Sequence, residues 1–349
     1  MKVARLYDFL DVRIEDAPVP PVGPGEALVR ARVCGICSGD VVPWYIRKKA
    51  PLVFGHEPAG EVVEVGRDVT SVRVGDRVFV HHHAPCFACS ACARGEFVQC
   101  ATWKRSQIVP GGMAEFFVVP EVNLQGDTLL LPESVSFEDA ALTEPTACVV
   151  KSLRRAGGVA GASVLIIGLG VMGQIHVLLS RHGGARRILA TDLVAARCQR
   201  AGDLGADVVI DASKMDLVEA VMDATGGEGA EVVIAGPATV EAIELGLRCV
   251  ARGGTVVQFM GTPPESRLQL DTFDYYFREL RLVPSYSCGP PDTRAALDLI
   301  AKRAVTASHV VTHRFPLLQA DQAYRVAATD TNALKTLVTM APSGAGCGG

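Results

Sequence analysis

The stretch VLIIGLGVMGQIHVLLS, residues 164–180, decides the fold. Its first four residues are apolar, a run of the length of a buried strand. Three glycines follow at G-x-G-x-x-G spacing: Gly168, Gly170 and Gly173, with Leu169, Val171 and Met172 between them. The rest has helical length. A glycine triplet alone is weak evidence, but a strand before it and a helix after it are the context that a dinucleotide-binding turn needs. Gly168 permits the tight turn, Gly170 lets backbone approach a pyrophosphate, and Gly173 lets the helix pack close to the sheet. The pyrophosphate would sit on the helix N-terminus, whose unpaired N–H groups and dipole favour an anion. Asp192 closes the next apolar run, ILATD. A carboxylate there accepts hydrogen bonds from ribose hydroxyls and repels a 2′-phosphate, so NAD is favoured over NADP. Arg197 is placed to cover the adenine, or else to tolerate a 2′-phosphate. The competing reading is a glycine-rich turn that binds nothing.

Downstream, the strand-like runs ADVVID, AEVVIAG and GGTVVQFMG alternate with helix-length segments. That rhythm predicts an α/β domain with a Rossmann-type, doubly wound parallel sheet over residues 151–294. Upstream, ALVRARVCGIC, AGEVVEVG and GDRVFVHH are short β-prone runs between Gly, Pro and Asp, which predicts a mostly β domain over residues 1–150. With 349 residues the chain is long enough for two cores. A net charge of −4 without long single-sign runs leaves no footprint for nucleic acid. No apolar run reaches the roughly 20 residues of a membrane span. The N-terminus lacks the apolar core of a signal peptide, so the expected location is cytoplasmic and reducing.

That setting bears on the eleven cysteines. Four of them, Cys86, Cys89, Cys92 and Cys100, follow C-x2-C-x2-C-x7-C. Clustered thiols in a reducing compartment are more often metal ligands than disulfides. Four thiolates close a tetrahedron around a structural zinc and leave no open position for chemistry. An iron–sulfur cluster on the same thiolates, two disulfides, or four unrelated buried cysteines are the alternatives. Elsewhere Cys37 lies in CGICSGD, His56 and Glu57 in FGHEPAGE, and Glu144 in LTEPTACVV. Each alone reads as structural.

Together, GICSGD, GHEPAGEVVEVG, VGDRV, the four-cysteine lobe, GGMAEF, the TEP helix start and GLGVMG give a different picture. The chain resembles the zinc-dependent medium-chain alcohol dehydrogenases over nearly its whole length. The sorbitol and threonine dehydrogenase branches are the most similar. The resemblance implies a GroES-like catalytic domain completed by residues 295–349, and homo-oligomers, dimers or tetramers. It implies a catalytic zinc on Cys37, His56 and Glu144, with Glu57 able to approach the metal. It also implies oxidation of a secondary alcohol of a polyol, cyclitol, amino alcohol or related metabolite, with hydride passing to NAD. A relative with altered chemistry that retains NAD, or a nucleotide-sensing zinc protein, are the alternative readings.

The sequence departs from the family pattern after Cys37. The family's hydroxyl stands two residues past the cysteine; here that position is Gly39, and the hydroxyl is on Ser38. Val42 replaces a histidine. Within the triplet His81-His82-His83, His83 matches by spacing a histidine that threonine dehydrogenases place near substrate. In VVPWYIRKKAPLVFG, Trp44 and Tyr45 are expected to wall the substrate site. Arg47, followed by Lys48 and Lys49, reads as a solvated turn or as a grip on an anionic substrate.

Overall fold

The computed structural model describes residues 1–340; the glycine-rich tail SGAGCGG, with Cys347, lies outside the described residues. The chain divides into two units, one of Met1–Ala147 together with the chain from Cys288 onward, the other Cys148–Ser287. The first division falls within the helix Thr143–Arg155. The second comes directly after the last strand of the parallel sheet, Arg281–Pro284, so the chain returns to the first unit ahead of residue 295.

The second unit holds a six-stranded sheet in the order Val208–Asp211, Arg187–Asp192, Ser163–Ile167, Ala230–Ala235, Val250–Gln258, Arg281–Pro284. Every pairing in it is parallel. The order reverses between Ser163–Ile167 and Ala230–Ala235, the switch point at which such sheets bind ligands. All five residues of Ser163–Ile167 are buried, which explains why the strand is continuously apolar rather than alternating.

In the first unit a seven-stranded sheet runs Val311–Pro316, Lys335–Thr339, Ala27–Gly35, Glu57–Val65, Arg77–Val80, Thr128–Leu130, with Phe116–Val119 also paired to Ala27–Gly35. Its core is built around Val29, Phe54, Phe117 and Tyr324. Three neighbouring strands meet at one end. Gly35 is in register with Glu57 on one side and Leu337 on the other. Hence Cys37, His56, Glu57 and Lys335, far apart in sequence, emerge at a single sheet end.

Gly35 is the tightest point of that end. A Cβ there would collide with the Glu57 carboxylate and come within 2.7 Å of Lys335 Cε. Gly35→Ala is therefore expected to cost about 1–3 kcal/mol of unfolding free energy. Urea denaturation of the two forms measures it, and equal midpoints would contradict the packing described.

Candidate active site and cofactor turn

Ligand atoms of Cys37, His56, Glu57 and Glu144 all lie within 4.8 Å of one another. Cys37 follows the strand Ala27–Gly35, His56 precedes Glu57–Val65, and Glu144 stands in the first turn of Thr143–Arg155. The Gly39 N–H donates to Cys37 Sγ at 3.3 Å. Nδ1 of His56 lies 3.4 Å from Asp40 Oδ2. The contact is an ion pair and not a hydrogen bond, and a carboxylate on that side leaves the other ring nitrogen for a metal.

Glu57 is fully buried and ion-paired with Lys335, itself 1% exposed. The Lys335 ammonium also donates to the Ile36 carbonyl at 3.0 Å. Glu57 Oε1 has no hydrogen-bond partner. The donor set of one thiol, one imidazole and two carboxylates fits a zinc ion.

The electrostatics point the same way. Burial lowers the His56 pKa, but Asp40, Cys37 and Glu144 outweigh it and leave it at about 10. Burial raises the Cys37 thiol despite the opposing pull of His56. Burial also raises Glu57, against the charge of Lys335. Without a metal, the cluster holds protons where it has too much negative charge.

The four lobe cysteines form a second set with ligand atoms within 4.8 Å. Cys89 and Cys92 Sγ atoms are 3.5 Å apart, Cys86 and Cys100 3.6 Å. A tetrahedron with Zn–S bonds of about 2.3 Å has edges of about 3.8 Å, so the thiols are close to binding positions. Short helices Ser90–Ala93 and Ala101–Arg105 carry the lobe, and Trp103 is its buried centre.

The three histidines diverge. His81 is fully buried, with Nδ1 2.8 Å from Asp127 Oδ2. The His82 ring lies 4.7 Å from that of His56, and its Nδ1 is buried without a hydrogen-bond partner. His83 lies tilted between His82 at 3.9 Å and Trp103 at 4.3 Å, and its Nδ1 meets the Ser106 carbonyl. So His82, which the spacing argument passed over, is the ring against His56, and His83 is one step removed.

Of the loop residues, Tyr45 faces the turn that follows Cys37. A Cβ on Gly39 would sit 3.6 Å from Cys37 Sγ and 3.9 Å from Tyr45 Cε1. Trp44 packs edge-on against Tyr45 at 5.6 Å. Arg47 donates to Asp8 Oδ1 at 3.0 Å, and both side chains are exposed. Lys48 lies over Trp44 and Lys49 over Tyr45. Ser38 sits in the turn after Cys37, half-buried.

In the second unit, Gly168 has φ +87, a left-handed conformation that favours glycine. A Cβ on Gly173 would strike the Gly168 carbonyl, whereas nothing lies within 4 Å of one on Gly170. The three glycines thus show a turn, a close approach and open space. Val171 and Met172 begin the helix Val171–His182, with Gly170 as its N-cap. Asp192 ends its strand and accepts from the N–H groups of Leu169 (2.6 Å) and Val194 (2.9 Å). Arg197 approaches the same carboxylate at 3.8 Å.

Comparison with known proteins agrees with this geometry. Residues 23–126 match the alcohol dehydrogenase GroES-like domain, and residues 171–302 the zinc-binding dehydrogenase domain. The chain is 36% identical over 320 residues to an L-threonine 3-dehydrogenase of Symbiobacterium thermophilum, covering 89% of each. It is 29% identical over 331 residues to a sorbitol dehydrogenase of Halalkalibacterium halodurans, covering 93% of this chain and 95% of that one. The solved structure of a zinc-binding dehydrogenase from Sinorhizobium meliloti 1021, bound to NADP, superposes with TM-score 0.87 at 29% identity, covering 97% and 98%.

A consequence for metal loading follows from the pKa directions. At pH 7 the metal-free His56 is protonated, because its pKa of about 10 lies above the solution pH. Zinc must displace that proton. Zinc binding at pH 7 is therefore expected to release protons, and its apparent affinity to weaken as pH falls from 9 to 6. Calorimetry in buffers of different ionisation enthalpy reads the release; heats independent of buffer would refute it.

Proposed function

The chain belongs to the zinc-binding alcohol dehydrogenase family, and on that premise we propose that it uses Cys37, His56 and Glu144 to oxidise a secondary alcohol bearing a second polar substituent. The relatives named for threonine and sorbitol suggest that substrate class: polyols, cyclitols and amino alcohols. The observation that carries the reading is the convergence of the three ligands, with Glu57, at one sheet end. Zinc, when bound there, supplies Lewis acidity toward the alcohol oxygen, and NAD takes the hydride.

The chain's own groups prepare that step. Asp40 orients the His56 ring, and the Gly39 N–H stabilises the Cys37 thiolate. Lys335 holds Glu57 to the side as a neighbouring carboxylate, in reach of the metal position yet compensated. Gly39 removes the usual hydroxyl and leaves a gap bounded by Cys37 and Tyr45. The alcohol's proton then leaves through Ser38 or the His82–His83 pair, and His82 is the member beside His56. His82→Phe should accordingly lower kcat more than His83→Phe does.

The cofactor is NAD. The Asp192 carboxylate, at the end of the second strand, would repel a 2′-phosphate, and Arg197 stands 3.8 Å from that same carboxylate. A cytoplasmic setting suits ten cysteines that form no disulfide among the described residues. No helix among those residues is long and apolar enough to cross a membrane. A homo-oligomer would cover the exposed Phe273, Tyr276 and Phe277 beside the outer strand Arg281–Pro284.

The test pairs zinc content with NADH formation across polyols, cyclitols, amino alcohols and their phosphorylated analogues. Two zincs per chain and turnover on one class support the reading. Zinc at the lobe alone, with no NADH from any substrate, would refute it. In the same assay Asp192→Ala should bring the kcat/KM for NADP toward that for NAD, by about tenfold or more if one unit charge is removed.

A further inference from the structure

Glu144 belongs to two clusters of ligand-type side chains. Its carboxylate also lies within 4.8 Å of a ligand atom of His81 and one of Cys288. All three residues are buried. His81 Nε2 stands 3.8 Å from Cys288 Sγ. The other ring nitrogen is held 2.8 Å from Asp127 Oδ2. Asp127 is fixed in turn: its Oδ1 accepts from Thr293 Oγ1 at 2.5 Å, and its carbonyl accepts from the His81 N–H at 3.0 Å.

A histidine with one nitrogen on a buried, anchored carboxylate and the other facing a thiol has the outer-shell support found behind metal-ligating histidines. Zinc bonds of about 2.0–2.3 Å put two ligand atoms of a tetrahedron about 3.3–3.8 Å apart. The separation of His81 and Cys288 falls at the upper end of that range. A thiolate, an imidazole and one carboxylate select a borderline-soft cation over magnesium or calcium, which prefer oxygen.

We propose that His81, Cys288 and Glu144 form a further binding position for a zinc-type divalent cation, adjoining the catalytic position and sharing the Glu144 carboxylate. It rests on the reading above only through that shared residue. A cation there shares the Glu144 carboxylate with a metal on Cys37 and His56 and weakens that carboxylate's hold on it. Zinc in excess is therefore expected to inhibit the enzyme, through a position made by side chains and not by adventitious surface binding.

The experiment counts metal on the full chain. Wild-type protein is equilibrated with excess zinc, or with cobalt(II), passed through gel filtration and analysed for metal per chain. Three per chain are expected: the lobe, the catalytic position and the new one. Cys288→Ser should lose one and part of the cobalt–thiolate charge-transfer absorption. Cys37→Ser should also lose one, and the double variant both. Wild-type protein that stops at two per chain at every zinc concentration overturns the proposal, with no variant needed, and leaves the catalytic reading intact. Equal cobalt content and spectra in wild type and Cys288→Ser overturn it as well. Failure of the catalytic reading looks different, because Cys37→Ser would then hold as much metal as wild type.

Discussion

The first unit depends on how it pays for negative charge in a dry place. Glu57, Glu144, Asp40 and the Cys37 thiol gather where three strands end, and all but Cys37 are almost fully buried. Isolated carboxylates at such depth are untenable without paired charge. Lys335 is one answer, pinned to Glu57 and to the Ile36 carbonyl. The imidazolium of His56 is the other, its pKa raised to about 10 by Asp40, Cys37 and Glu144 against the effect of burial. A zinc ion removes the need for that proton. Stability and metal binding are therefore one electrostatic problem, and removing Lys335 alone would leave a buried unpaired carboxylate, a loss on the order of 3–5 kcal/mol.

The backbone is built to admit that arrangement. Gly35 stands between the register partners Glu57 and Leu337, with no space for a methyl group. In the second unit Gly173 has the same role toward the Gly168 carbonyl, where helix and strand must approach for the turn to hold a pyrophosphate. Both sites thus rest on backbone proximity that only the smallest residue tolerates. The side chains that perform chemistry are positioned by residues that have none.

What was legible in the sequence was what is local. The lobe cysteines lie within fifteen residues, and the glycine turn carries its own strand and helix, so spacing alone exposes both. Asp192 is equally local, one strand onward. Lys335 was not legible, because its partner lies 278 positions away and nothing in KTLVTM distinguishes a buried lysine from an exposed one. His81 and Cys288 were hidden for the same reason: their contact crosses the whole second unit in sequence. The exposed ion pair of Arg47 with Asp8, 39 positions earlier at the end of a strand, was out of reach for the same reason.

The histidine triplet shows how far neighbours can diverge once packing decides. His81 turns to Asp127 in the core, His82 to His56 at the metal position, and His83 to Trp103 at the centre of the cysteine lobe. One tripeptide therefore touches the core, the catalytic cluster and the lobe. The lobe contains no open ligand position of its own, but holding Trp103 in place fixes His83, and His83 backs His82. Loss of metal from the lobe would loosen Trp103 first and reach His82 through two ring contacts. A metal that takes no part in the reaction then still shapes the wall beside the one that does.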